Sequence, residues 1–268
     1  SQYLVERPYP GVVEVIKSGN ATDVLRELEA KAPAYENNKE FSKAHRAYLA
    51  AALLAEALGN FQKLLTYAKK SYLLAEKFDR GSQDSISLRS ASQVLAKAHL
   101  AVNDPESVVP LLLNVVPRRL PQNRKQAQNY ADLHGTLGDA YQRKGDMKSA
   151  LRHHEEAINM QGLVWEGRTF APRNPRRSRL RSPVEDRYLR HLTALVRDQI
   201  ALRQYRRAVG FGERLLKLAK NLGYRQWEGE SYRLLGDIAL KQGDLNAALS
   251  YYQQVLSMGE GSVNPSVL

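Results

Sequence analysis

Two stretches of this chain are versions of one another, and they limit its fold more than any other feature. Residues 131–160 read ADLHGTLGDAYQRKGDMKSALRHHEEAINM, and residues 229–258 read GESYRLLGDIALKQGDLNAALSYYQQVLSM. In register they share Leu137-Gly138-Asp139 with Leu235-Gly236-Asp237, Gly145-Asp146 with Gly243-Asp244, and Ala150-Leu151 with Ala248-Leu249. Each reads as an antiparallel helix pair. A small residue stands where the two helices cross, a glycine where the first helix stops, and an alanine where the second returns.

Weaker copies fill the space between. The turn positions are Gly59, Asn103, Gly145, Arg203 and Gly243, giving spacings of 44, 42, 58 and 40 residues. Asparagine tolerates the left-handed backbone that glycine adopts at a helix end, and Pro105 suits a first helical turn. Ala52 and Ala208 take small-residue positions, and Pro110 predicts a kink. Before the copies, residues 11–17 and 21–32 read as short helices, the second capped within Ala21-Thr22-Asp23 and ended by Pro33. Residues 1–37 are therefore expected to be a lead-in and helical cap, 38–258 five helix pairs, and 259–268 a mobile tail.

The pattern resembles the tetratricopeptide repeat (TPR) family. The resemblance implies an all-α, right-handed superhelical solenoid of antiparallel helix pairs. Repeats of roughly 40 residues look more like those of spindle-orientation adaptors, rapsyn-type scaffolds and bacterial signalling TPR proteins than the common 34-residue form. In the family, the first helix of each pair lines a concave surface that receives the partner. Carried over, the groove positions are Leu53, Lys97, Asp139, Gln142, Arg143, Arg190, Arg197, Arg233, Asp237 and Lys241. Asp139 and Asp237 stand after the glycine, which argues against the asparagine–lysine clamp that chaperone co-factors use for a terminal carboxylate.

The long spacing locates an insertion. Residues 162–183, GLVWEGRTFAPRNPRRSRLRSP, hold three prolines and two glycines, so no continuous helix is expected there. Six arginines, Arg168, Arg173, Arg176, Arg177, Arg179 and Arg181, crowd into fourteen positions. Guanidinium forks suit carboxylates and phosphates, although a solvated loop would carry them equally well. Ser178 and Ser182 would be kinase sites in this setting.

Net charge is +12, which favours acidic partners. No apolar run reaches the length of a membrane span, and the opening SQYLVERPYPG lacks the pattern of a secretory leader. There is no cysteine, hence no disulfide or thiolate metal site. The expectation is an intracellular protein, cytoplasmic with the nucleus left open. His153-His154-Glu155-Glu156 is the one metal-like cluster, but His154 falls where the family packs an aromatic ring. Gly210-Phe211-Gly212 lacks the context of a nucleotide loop. With no nucleophile, acid–base couple or phosphate loop, neither enzyme activity nor a metal or cofactor is expected.

The leading expectation is an adaptor that takes an acidic or phosphorylated protein segment in a basic groove, with the arginine insertion assisting. Two alternatives stay open. One is nucleic-acid binding through the insertion and the arginine-rich fourth copy (Arg187, Arg190, Arg197, Arg203, Arg206, Arg207). The other is a regulatory segment of a larger enzyme or complex.

Overall fold

The computed structural model describes residues 5–6, 8–78, 85–117, 120–165 and 183–260. The arginines of 168–181 and the tail beyond 260 lie outside the described residues. Those described form twelve α-helices and no strand. They divide into two compact units, 1–119 and 120–268.

The first unit holds α1 (Pro8–Ser18), α2 (Ala21–Asn37), α3 (Phe41–Ala57), α4 (Phe61–Phe78), α5 (Ile86–Ala101) and α6 (Pro105–Leu113). Its core is built of alanine and leucine. Ala44, Ala47, Ala51 and Leu54 of α3 meet Leu25, Leu28 and Ala32 of α2 on one side. Leu49, Ala52 and Ala55 meet Leu64 and Ala68 of α4, and Val94 of α5, on the other. A helix rich in small side chains can be buried all round, because its neighbours approach closely from both flanks.

The second unit holds α7 (Arg124–Arg143), α8 (Met147–Trp165), α9 (Pro183–Ala201), α10 (Tyr205–Leu222), α11 (Arg225–Gln242) and α12 (Leu245–Glu260). Its core joins Leu151 and Ile158 of α8, Leu189, Leu192 and Val196 of α9, Leu215 of α10 and Leu234 and Ile238 of α11.

Short turns enforce the antiparallel pairing, and one device recurs in them. Gly59, Gly145 and Gly243 have φ of 70°, 81° and 82°, a conformation that only glycine adopts freely. The next residue donates its N–H back into the helix just ended: Asn60 to Ala55, Asp146 to Tyr141, Asp244 to Ala239. Its side chain then caps the coming helix, accepting from Lys63 N, Ser149 N and Ala247 N respectively. Asn103-Asp104 repeats the device, with φ of 59° at Asn103 and Asp104 accepting from Ser107 N.

Arg203-Gln204 is the poor copy. Arg203 holds φ at 58° with a β-carbon in the way, and Gln204 makes no side-chain cap. Replacing the pair by Gly-Asp should therefore stabilise the second unit. The left-handed strain and the missing cap are each worth about 1 kcal/mol. Thermal unfolding of R203G/Q204D should shift upward, and an unchanged or lower midpoint would contradict this reading of the turn.

The structure corrects several sequence expectations. Pro33 does not end its helix, since α2 continues to Asn37. The chain is tied on both sides of the proline. Glu29 accepts from Lys63 Nζ and Tyr67 OH of α4, both at 2.6 Å, and Glu36 accepts from Tyr48 OH at 3.2 Å. With Ala32 fully buried, these anchors offset the roughly 3 kcal/mol that an interior proline costs. The same helix starts after Asn20 rather than from a cap within 21–23. α1 begins at Pro8, three residues before the sequence suggested. Helix also runs further into the insertion. α8 extends to Trp165 and α9 starts at Pro183, a first-turn proline. At the other end, α12 reaches Glu260.

Candidate functional site

Helices α7, α9 and α11, the first members of three successive pairs, contribute to a groove of about 790 Å³ in the second unit. Asp139 and Gln142 enter from α7. Arg190, Thr193, Ala194 and Arg197 come from α9, and Arg225, Gln226, Trp227, Gly229, Glu230 and Arg233 from α11. Val255 and Met258 of α12 close one side. The residues follow helical periodicity, with Arg190, Thr193/Ala194 and Arg197 on one stripe and Gln226, Glu230 and Arg233 on another.

Close packing at small residues brings these helices together. A β-carbon on Gly138 would lie 2.3 Å from His154 Nε2, and one on Gly236 would lie 2.7 Å from the ring of Tyr252. Gly212 serves the same purpose between α10 and α11, where its β-carbon would fall 2.9 Å from Leu235. Glycine is required at these crossings by the approach itself.

Beneath the groove lies a buried polar network. His154 of α8 and Asp198 of α9 are both fully buried. The His154 imidazolium donates from Nδ1 to Asp198 Oδ2 at 2.5 Å, and Gln142 donates from Nε2 to Asp198 Oδ1 at 2.8 Å. His154 Nε2 lies 3.3 Å from Asp139 Oδ1, close but without an aligned hydrogen bond. Burial pushes the His154 pKa down, yet the two carboxylates outweigh it and raise the value to about 9. Its neighbour behaves oppositely. His153 stacks on Tyr141 and contacts His134 Nδ1 at 3.0 Å, and burial, reinforced by neighbouring positive charge, lowers it to about 4. Asp139 and Gln142 thus reach the groove from a fixed floor.

The groove wall is arginine-rich but internally compensated. Arg197 pairs with Glu230 at 2.7 Å, and Arg233 pairs with Glu230 and Asp237, each at 2.8 Å. Glu230 is pushed up by burial and pulled down by Arg233 and Arg197, ending below the ordinary carboxylate range. Arg190 pairs with Asp186 at 3.1 Å, and Asp186 also accepts from Trp227 Nε1 at 2.8 Å, which orients the indole. Among the described residues Arg225 has no ion-pair partner. The Arg190 and Arg197 side chains are 66% and 51% exposed. Their partners Asp186 and Glu230 are only 26% and 20% exposed, so an arriving anion would share the outward guanidinium N–H groups and leave the carboxylates in place.

Of the groove residues expected from sequence, Asp139, Gln142, Arg190, Arg197 and Arg233 are brought together. Asp237 stands one turn along, bonded to Arg233 and to Tyr252 OH. Arg143 and Lys241 sit at the ends of their helices and do not line the groove. Lys97 belongs to the first unit, exposed on α5, and Leu53 is half-buried against that unit's core. Sequence reasoning missed Trp227, Arg225, Glu230 and the wall from α12. Extending the Arg233–Asp237 stripe back by two turns would have found Gln226 and Glu230. No group of three His, Asp or Glu side chains able to hold a metal occurs among the described residues. No described helix is long and apolar enough to cross a membrane.

Comparison with known proteins agrees with this architecture. Residues 133–163 and 229–258 each match a tetratricopeptide repeat model. Among solved structures, the chain is similar to BtubC (BKLC) of P. vanneervenii, with a TM-score of 0.66 and 14% identity over 96% of this chain and 95% of that one. It is also similar to the nearly identical TPR-like repeats assigned to a kinesin light chain of Podospora anserina, with a TM-score of 0.63 and 19% identity over 82% and 96%. A third is MamA, at a TM-score of 0.55 and 13% identity over 84% and 96%. At such identities the likeness is one of fold. No curated protein matches the sequence.

Proposed function

We propose that this chain, two stretches of which match a tetratricopeptide repeat model, is a non-catalytic interaction scaffold whose second unit binds an acidic or phosphorylated segment of another protein. One observation carries the reading. Four arginines (Arg190, Arg197, Arg225 and Arg233) converge on one groove against two lining carboxylates, beside an apolar wall of Trp227, Val255 and Met258. The guest that fits is a short amphipathic segment. Its carboxylates or phosphates meet the guanidiniums, and an apolar side chain packs on the indole. The insertion arginines Arg168, Arg173, Arg176, Arg177, Arg179 and Arg181 are assigned an assisting role on charge alone.

Nucleic acid is the weaker reading. In the fourth pair, Arg187 and Arg207, engaged with Asp132 and Glu155, do not line the groove that holds Arg190 and Arg197.

Selection from a random peptide display library tests the proposal, with intact protein and Arg197→Ala as baits. Selected peptides should combine acidic residues with an apolar anchor. Arg197→Ala should weaken them about tenfold, the loss of one charge-assisted contact worth about 1.5 kcal/mol. Melting should barely change, since Arg233 remains to pair with Glu230. Enrichment of peptides without acidic residues, or generic RNA displacing them with a steep salt dependence, would count against the groove reading.

A further inference from the structure

Helix α12 carries an apolar stripe that the groove does not use. Leu245, Leu249 and Leu256 are 67%, 58% and 68% exposed, and spacings of four and seven put them on one helix face. The repeat register shows that this face is normally covered. With Gly145 aligned to Gly243, Leu249 and Leu256 correspond to Leu151 and Ile158 of α8. Those two are only 9% and 8% exposed, packed in one core with Leu189 and Leu192 of α9. The face that is closed in the third pair is open in the fifth.

A second feature separates α12 from the other second helices. From Leu245 to Met258 it contains no Asp, Glu, Lys, Arg or His. By contrast α8 carries Lys148, Arg152, Glu155 and Glu156, and Glu155 meets Arg207 of α10 at 3.4 Å. On a chain of net charge +12, charged faces repel their own copies. The α12 face does not.

We propose that α12 is a self-association surface, packing antiparallel against α12 of a second copy across a two-fold axis between Tyr252 and Gln253. A two-fold contact must be self-complementary. Leu249 and Leu256 are equidistant from that axis, so each meets the other's counterpart, and serine, asparagine and glutamine side chains border the seam. A sixteen-residue helix is roughly 24 Å long. One such pair buries on the order of 1,000 Å² in total, the lower end for specific interfaces, so dissociation is expected in the micromolar range. The groove draws on Val255 and Met258 of α12 and the seam on its leucines, so peptide binding and dimerisation are separable.

Sedimentation velocity of the full chain from about 1 to 200 µM should show a monomer–dimer equilibrium, and Leu249→Glu/Leu256→Glu should abolish it. Both leucines are mostly exposed, so circular dichroism of the double variant should remain helical. The chain has no cysteine, which allows a positional test that does not depend on the leucines. A short bis-maleimide should join Gln253→Cys into a dimer but leave Lys217→Cys on α10 monomeric. A monomer at every concentration, a dimer that survives the double substitution, or equal cross-linking at the two positions would overturn the proposal.

Discussion

Gly138→Ala is expected to lower the unfolding midpoint of the second unit by about 10 °C. Its β-carbon would sit 2.3 Å from His154 Nε2 and 2.4 Å from Cδ2, inside contact distance. A flexible neighbour could move aside, but His154 is fully buried and bonded to Asp198. The helices must separate or the pair must break. Overpacking costs about 1–3 kcal/mol, and disrupting a buried ion pair about 3–5 kcal/mol. A loss of about 3 kcal/mol corresponds to roughly 6–12 °C in a unit of about 150 residues. Gly236→Ala meets the ring of Tyr252, whose hydroxyl is held by Asp237 at 2.7 Å. That ring is half-exposed and can swing outward, so the loss there should be smaller. Equal melting of Gly138→Ala and the parent chain, followed by circular dichroism, would refute the packing assignment.

Asp198→Asn should be comparably damaging and should also change the response to pH. Asp198 is fully buried and accepts from both His154 and Gln142. Removing its charge leaves a buried imidazolium with only the misaligned Asp139, at a cost of about 3 kcal/mol. His154 is raised from an ordinary value of 6.5 to about 9 in the folded protein. Its contribution is therefore complete below pH 6.5 and lost as pH rises through 9. His153, lowered from 6.5 to about 4, works in the opposite sense. Its contribution is complete above pH 6.5 and lost as pH falls through 4. Denaturant unfolding of the parent chain should show greatest stability near pH 6.5, with a decline on either side. Asp198→Asn should flatten the alkaline limb and leave the acid limb in place. An alkaline limb that survives unchanged would mean that His154 is not its source.

What could be read from the sequence was whatever repeats. Gly145-Asp146 and Gly243-Asp244 are legible because a left-handed residue followed by a capping carboxylate is a local device, complete within one turn. Gly138 and His154 are legible for a related reason. They occupy the register that Gly236 and Tyr252 occupy, and the contact follows from the spacing within one helix pair. Tertiary anchoring was not legible. Local propensity stopped a helix at Pro33, whereas Glu29 and Glu36 hold it to neighbours that lie 12 to 38 residues further along. The groove's charge balance failed in the same way. The sequence reading placed Arg190, Arg197 and Arg233 in a groove that leans positive, without assigning their partners. Arg197 finds Glu230 across 33 residues, while Arg190 finds Asp186 one turn back on its own helix. A single-sequence reading sees that carboxylates are present. It does not see which guanidiniums they face.

The groove assignment is tested most directly by the fluorescence of Trp227. The chain has two tryptophans, Trp165 and Trp227, so a Trp165→Phe protein reports on the groove alone. Titration with a display-selected acidic peptide should shift Trp227 emission to shorter wavelength as the half-buried indole is covered. The shift should saturate with the same dissociation constant as binding measured by calorimetry, and Arg197→Ala should move both curves about tenfold. Saturable binding with no change in Trp227 emission would place the peptide elsewhere and contradict the account.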